Sequence, residues 1–234
     1  GAASLGLGGF NATMPHKTDL VPLMDELSAD ARMYRSVNTV VLRDGRLLGF
    51  NTDGEGFLRS LHDSGIDPRG RRVVIFGAGG ASRSVVLKLA AVGVERVTVC
   101  CRTPSKAAEL VAASPSVSAA DMSRASTDAA LADAELFING TPLGMQGVGT
   151  DFESFAFLDA LPASAPVCDL IYRPLKTSLL REAEARGHLA VNGLGMLIHQ
   201  AILALEHFAS MELDAEAMKA AVMARLLPVL EQTS

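Results

Sequence analysis

Short apolar runs and amphipathic stretches alternate through the middle of the chain. Arg71-Arg72-Val73-Val74-Ile75-Phe76 is a continuous run of β-formers, the pattern of a strand buried on both faces. Gly77-Ala78-Gly79-Gly80 follows at once. Ala81 to Val92 then reads as a helix with Val85, Val86 and Leu89 on its apolar face, and Gly93 ends it. Glu95 to Cys101 is the next strand, which completes a strand–helix–strand unit. Lys106 to Ala113 is helical in composition. Ala134 to Asn139 and Pro166 to Ile171 are strand-like, and Thr177 to Arg186 is a helix closed by Gly187. Ser114 to Asp133, rich in Ala, Ser and Asp, reads as a short strand, a loop and part of a helix. Strands alternating with helices predict a doubly wound α/β sheet, placed at 54–192.

After Asn192-Gly193 the pattern becomes helical. Leu197, Ile198, Ala201, Leu205 and Phe208 recur at helical spacing, and Met196 and Met223 are expected in the core. Asp214 suits the N-cap of a last helix, which Pro228 should kink or shorten. Residues 1–53 and 193–234 are each too small to hold a core alone, so they are expected to pack together as one smaller, discontinuous α/β domain.

Composition narrows the class. Of 234 residues, 49% are hydrophobic and 20% charged, which is globular. A net charge of −5 gives no electrostatic reason to expect nucleic acid. No apolar run reaches the ~18 residues that a membrane span needs. Cys100, Cys101 and Cys168 form no Cys-x-x-Cys pair, and the five histidines form no cluster with them. A disulfide framework and a metal site are therefore not expected, and a reducing cytoplasm is.

Two kinds of chemistry stand out. Gly77-x-Gly79-x-x-Ser82 resembles a dinucleotide turn: Gly77 permits the turn off the strand, and Gly79 lets the backbone approach a pyrophosphate at a helix N-terminus. Such a turn can also be a plain strand–helix connection. An NAD-specific fold places a carboxylate about 20 residues past the turn. Here Arg102, Thr103 and Lys106 stand there instead, two cations and a hydroxyl suited to a 2′-phosphate, so NADP is expected over NAD. Upstream, Lys17 and Asp53 sit among Asn11, Thr13, Asn38, Thr39, Asn51 and Thr52, a set suited to a small polyhydroxylated substrate. Taken singly, Lys17 could be a surface lysine, Asp53 a helix cap, Asn38 a turn residue, Gln200 an exposed helix position and Tyr172 a solvent-facing strand end.

Together these pieces resemble one family. Asn11-Ala12-Thr13-Met14-Pro15-His16-Lys17, Val37-Asn38-Thr39, Asn51-Thr52-Asp53, Gly77 to Arg83, Asn139-Gly140-Thr141-Pro142-Leu143-Gly144-Met145, Asp169-Leu170-Ile171-Tyr172 and Gly193-Leu194-Gly195-Met196-Leu197-x-x-Gln200 occur in the order seen in the shikimate dehydrogenases. The resemblance implies a Rossmann NADP domain joined to a discontinuous substrate domain, and reduction of 3-dehydroshikimate to shikimate with NADPH. It implies Lys17 and Asp53 as the catalytic pair. Thr13, Asn38, Tyr172 and Gln200 join them at the substrate. Gly77, Ala78, Gly79, Gly80, Ala81, Thr141 and Gly193 join Arg102, Thr103 and Lys106 at the cofactor. An ammonium near a ketone oxygen can stabilise the developing charge and deliver the proton that hydride transfer requires.

The family's first roughly 50 residues, with a Ser-x-Ser pair for the substrate carboxylate, are not in this sequence; they are expected ahead of Gly1, since their loss would expose a sheet edge. The resemblance leaves two alternatives: a paralogue acting on quinate or an amino analogue, and a shikimate-sensing module without chemistry. A sensor has no need for both Lys17 and Asp53. Sites on two domains also imply a hinge near Gly54 and Asn192-Gly193.

Overall fold

The N-terminal polar stretches are carried by a four-stranded sheet in this computed structural model, which describes residues 6–13, 15–103 and 105–231. Expectations falling on residues 1–5, Met14, Pro104 and 232–234 lie outside the described residues. Strands β1 (Gly9–Asn11), β2 (Glu26–Leu27), β3 (Thr39–Arg43) and β4 (Arg46–Phe50) lie in the order β1-β3-β4-β2. β3 and β4 form an antiparallel hairpin turned at Asp44-Gly45, where φ is 50° and 76°. Asp-Gly is a favoured pair for a two-residue turn of that handedness. The register sets Thr39 opposite Phe50, and Asn38 N–H donates to the Phe50 carbonyl at 3.0 Å. β1 pairs on the other side of β3, with Asn11 opposite Thr39. Helix α1 (Ala29–Tyr34) is capped by Ser28, whose Oγ accepts from the Ala31 N–H at 3.1 Å.

After helix α2 (Asp53–Asp63) the chain enters a parallel sheet. Its strands are β5 (Arg72–Phe76), β6 (Arg96–Cys100), β7 (Val117–Ala120), β8 (Leu136–Asn139), β9 (Val167–Asp169) and β10 (Ala190–Val191), in the order β10-β9-β8-β5-β6-β7. The direction of winding reverses between β5 and β8, which opens a crevice at the carboxyl ends of those strands. Helices α3 (Gly80–Val92), α4 (Ser105–Ala113), α5 (Arg124–Leu131) and α6 (Ser178–Ala185) connect them. Along β5, Val73 and Ile75 enter the core with Val85, Val86 and Leu89 of α3, while Val74 and Phe76 enter the opposite core with Phe137 and Phe157. The run is apolar throughout because both faces are covered. Segment 114–133 resolves into β7, a loop and α5, as its composition suggests.

The C-terminal helices are α7 (Leu194–Ala209) and α8 (Ala215–Glu231). Two expectations are corrected here. Of the kink or shortening expected at Pro228, the shortening does not occur, since α8 runs on to Glu231, and Leu230, beyond the proline, is buried against Leu194, Ile198 and Ile202. The buried side of α7 is also broader than one stripe. Leu205 is 44% exposed and Ala201 is exposed, whereas Met196, His199 and Leu203 are buried beside Leu194, Ile198 and Ile202. The helix packs on α2 as well as α8, and His199 is accommodated because its Nε2 bonds Asp63 Oδ2 of α2 at 2.6 Å. Asp214 does cap α8, accepting from the Ala217 N–H at 3.0 Å.

Helix α2 is the bridge between the two sheets. A Cβ on Gly54 would lie 2.7 Å from Tyr34 Oη and 2.8 Å from the Ser84 carbonyl of α3; one on Gly56 would lie 2.8 Å from the Gln200 nitrogen of α7. The close approach brings the first turn of α2 against the first turns of α3 and the middle of α7. A Gly54→Ala variant is expected to lose on the order of 1–3 kcal/mol by overpacking this junction, read by urea denaturation. Wild-type stability in that variant would show that the helices are not in such close contact.

Candidate active site

The hairpin delivers Asn38 beside the start of α2. Asn38 is 2% exposed, and its side chain is fully engaged. Nδ2 donates to Thr52 Oγ1 and to Asp53 Oδ1, each at 2.9 Å. Oδ1 accepts from Thr39 Oγ1 at 2.9 Å and from the Thr52 N–H at 3.0 Å. Asn11 Nδ2 in turn donates to Thr39 Oγ1 at 3.0 Å, and Asn51 Oδ1 accepts from the Asp53 N–H at 3.1 Å. A chain of neutral amides and hydroxyls therefore aims one carboxylate. The signal for this frame was present in the sequence as the Asp44-Gly45 turn, which aligns the two Asn-rich stretches.

Asp53 receives the site's cation on its other oxygen. Lys17 Nζ lies 2.7 Å from Asp53 Oδ2, and the two side chains are only 16% and 7% exposed. The Lys17 carbonyl accepts from Val37 N–H at 2.8 Å, which ties its loop to the strand that carries Asn38. Lys17 is thus a largely buried ion-paired lysine, and not a surface one. Asp53 is the first residue of α2, with Thr52 in the cap position, so its carboxylate is not used as a cap. It still benefits from the positive end of the helix.

Gln200 meets the first turn of α2 through Gly56, and its Nε2 donates back to the Leu197 carbonyl at 2.9 Å. Thr13 is exposed in the turn after β1, its carbonyl accepting from His16 N–H at 3.0 Å. Tyr172 is 42% exposed, just past β9.

The glycine turn lies close by, since Gly54 presses on Ser84, four residues into α3 from Gly80. Gly77 has φ +94°, and a Cβ there would crowd the Gly140 carbonyl at 3.0 Å. Above Gly79 and Gly80 a Cβ would meet nothing within 4 Å, so the amide face at the start of α3 is open, with Ala78 and Ala81 flanking it. Ser82, at a position where Gly or Ala is more usual, is buried and donates from Oγ to the Gly140 carbonyl at 3.1 Å. It thereby joins the turn to the loop after β8. Arg102, Thr103 and Lys106 are exposed at the end of β6 and the start of α4, and neither cation makes an ion pair with a described residue. These residues fit a dinucleotide carrying a 2′-phosphate: an open amide cradle at a helix N-terminus, and two cations where a carboxylate would repel it.

A second buried network, to which the sequence motifs assigned no role, lies at the ends of β8 and β9. Asp169, 1% exposed, accepts on Oδ1 from Asn139 Nδ2 and the Ile171 N–H, both at 3.0 Å, and on Oδ2 from Thr177 Oγ1 at 2.7 Å. Asn139 Oδ1 accepts from the N–H and the hydroxyl of Thr141, at 3.0 and 2.7 Å. Gly193 N–H donates to the Ile171 carbonyl at 2.9 Å. Burial pushes the Asp169 carboxyl up from 3.8 to about 6, against the three donors, with the charge of Asp151 adding to the rise. Among the described residues, no group of three or more His, Cys, Asp or Glu side chains is placed to hold a metal ion.

Known proteins share this fold and are similar in sequence. The chain matches the Shikimate dehydrogenase substrate binding domain over residues 1–40, Shikimate / quinate 5-dehydrogenase over 61–143, and the Shikimate 5'-dehydrogenase C-terminal domain over 193–223. It is 44% identical to the shikimate dehydrogenase (NADP(+)) of Symbiobacterium thermophilum, across 97% of this chain and 79% of that protein. The crystal structure of shikimate 5-dehydrogenase from Thermus thermophilus in complex with NADP(H) and shikimate aligns with a TM-score of 0.80 at 33% identity, covering 93% of this chain and 79% of that one. Quinate dehydrogenase from Corynebacterium glutamicum in complex with NAD aligns with a TM-score of 0.84 at 32% identity, covering 95% and 80%.

The Asp169 network makes a pH prediction. A carboxyl whose folded pKa is raised binds more protons in the folded than in the unfolded chain. Its contribution to stability is present in full below the unfolded value of 3.8 and is lost as pH rises through about 6. The stability difference between wild type and Asp169→Asn should shift by on the order of 2–3 kcal/mol against the wild type from pH 4 to pH 7. Denaturation curves with a pH-independent difference would contradict the assignment.

Proposed function

The chain belongs to the shikimate dehydrogenase family, and on that premise we propose that Lys17 and Asp53 are its catalytic pair, acting on the keto group of 3-dehydroshikimate. It is an NADP-dependent oxidoreductase that interconverts 3-dehydroshikimate and shikimate in aromatic amino acid biosynthesis. The contact between Lys17 and Asp53 at 2.7 Å is the observation that carries the catalytic assignment.

Reduction of a ketone adds hydride to carbon and a proton to oxygen. NADPH, when bound, supplies the hydride. The chain's own residues handle the oxygen. Asp53 accepts on both oxygens, from Lys17 and from Asn38, so it enters as an orienting acceptor. Lys17 has three N–H donors and commits one to Asp53, which leaves donors for the substrate oxygen and the proton it must receive. An ammonium held in place before the reaction stabilises the developing alkoxide with little reorganisation. Thr13, Asn38, Tyr172 and Gln200 are proposed to serve the ring hydroxyls, with Asn38, whose own donors and acceptor are engaged, acting through Asp53.

Gly77, Ala78, Gly79, Gly80 and Ala81 are proposed to cradle the pyrophosphate. Arg102, Thr103 and Lys106 bind the 2′-phosphate, and Thr141 and Gly193 contact the nicotinamide half. Residues 54–192 form the cofactor domain and 1–53 with 193–234 the substrate domain, with a hinge near Gly54 and Asn192-Gly193. Cytoplasmic residence is proposed from three buried, free cysteines. Among the described residues no helix is long and apolar enough to cross a membrane. The quinate dehydrogenase neighbour supports a second reading, activity on quinate, and the two are separated by assaying both substrates.

Lys17→Ala should lower kcat by about 10²-fold or more while NADPH affinity, read by fluorescence titration, stays near wild type. Unchanged turnover would remove Lys17 from the catalytic step. The double variant Arg102→Ala/Lys106→Ala should raise KM for NADPH by about 10-fold or more and leave KM for NADH unaltered, since each charge-assisted contact to the 2′-phosphate is worth roughly 1.5–3 kcal/mol. Equal effects on the two cofactors would place the phosphate elsewhere.

A further inference from the structure

Asp169 is a buried carboxylate whose bonds lead outward. An apolar side chain would bury there at lower cost, because an ionisable group at 1% exposure must be repaid by its partners. Two of its three partners lead into the loops at the carboxyl edge of the sheet, where open α/β folds bind ligands. Through Asn139 it reaches both donors of Thr141. Through the Ile171 N–H it fixes the peptide before Ile171, and the Gly193 N–H fixes the carbonyl after it, so the backbone leading into Tyr172 is held on both sides. The third partner, Thr177, also caps α6, accepting from the Leu180 N–H at 3.3 Å.

We infer that Asp169 is a positioning residue for hydride transfer, orienting Thr141, Tyr172 and Gly193 around the nicotinamide end of the cofactor through Asn139, Ile171 and Thr177. The inference rests on the cofactor reading given above for Thr141 and Gly193. Arg102, Thr103 and Lys106 stand at the end of β6 and the start of α4, whereas Asp169 and its three donors stand at β8, β9 and the start of α6, so the residues proposed for the 2′-phosphate are carried by other elements. The carboxylate therefore acts on the reacting end of the dinucleotide, while the 2′-phosphate is anchored on other strands. Thr177 serves the same end by holding the second carboxylate oxygen.

The test uses Asp169→Asn, Thr177→Val and Thr177→Ser in the whole protein. Three readouts are compared: affinity for 2′,5′-ADP, which carries only the adenosine half; kcat with NADPH; and the primary isotope effect with nicotinamide-deuterated NADPH. Asp169→Asn and Thr177→Val should lower kcat by about 10- to 100-fold, the size expected for a slight misplacement of reacting groups. Both should enlarge the isotope effect and keep 2′,5′-ADP affinity within about two-fold of wild type. Thr177→Ser, which keeps the hydroxyl, should hold kcat and the isotope effect near wild type. If Asp169→Asn does not fold, the Thr177 pair decides. Unchanged kcat in Thr177→Val, or loss of 2′,5′-ADP affinity in step with kcat, overturns the positioning role. Failure of the wild-type protein to bind 2′,5′-ADP would instead overturn the cofactor reading, and this inference with it.

Discussion

The ion pair between Lys17 and Asp53 joins residues 36 positions apart, and the four-stranded sheet and its loops make that contact hold. A largely buried ammonium and carboxylate are costly to desolvate, and the cost is offset only if each is well paired and its remaining valences are met. The β3–β4 hairpin meets them on the carboxylate side. It places Asn38 where one amide bridges Thr52 and Asp53, and Thr39 and Asn11 hold that amide from behind. On the ammonium side, the loop carrying Lys17 is tied to Val37 by its own carbonyl. The pair is thereby held before any substrate arrives.

Helix α2 carries this arrangement to the parallel sheet. Its first residue is Asp53, its second touches α3 just past the glycine turn, and its fourth touches α7 at Gln200. Small residues at these points let three helices approach closely, so Asp53, the glycine turn and α7 meet at one close-packed junction. The ion pair of Lys88 with Glu55 at 2.8 Å and the bond from Arg83 Nε to the Tyr34 carbonyl at 2.6 Å add polar ties across the same junction. The site is thus built where two sheets meet, with the Asp169 network fixing the loops of the parallel sheet that face it.

Strands β5, β6, β8 and β9 were legible because each is a short, largely buried run of mostly apolar residues, whereas β10, two half-buried residues, was not anticipated. The bounds of β5 and α3 differ from the sequence reading by a single residue at one end. The small sheet was not legible from periodicity. β1 and β2 are three and two residues long, and only the Asp44-Gly45 turn announces the hairpin. The face of α7 was misread because a histidine occupies a buried position, made tolerable by a carboxylate 136 residues away, which no local pattern reveals. For the same reason Lys17 and Asp53 could be singled out by chemistry and by resemblance, while their contact could not be inferred from spacing. Asn139 and Asp169 stand within recognised motifs and Thr177 at the start of a predicted helix, but the contact of Asn139 with Asp169 depends on the parallel register that sets them side by side.

A crystal structure of the whole protein with NADP+ and shikimate tests the convergence most directly. Lys17 Nζ and Asp53 should both lie within about 2.6–3.2 Å of oxygens of the same shikimate molecule, with Lys17 on the hydroxyl whose carbon faces the nicotinamide. Shikimate bound out of reach of Lys17, or a Lys17–Asp53 pair turned away from the nicotinamide, would contradict the mechanism at its root.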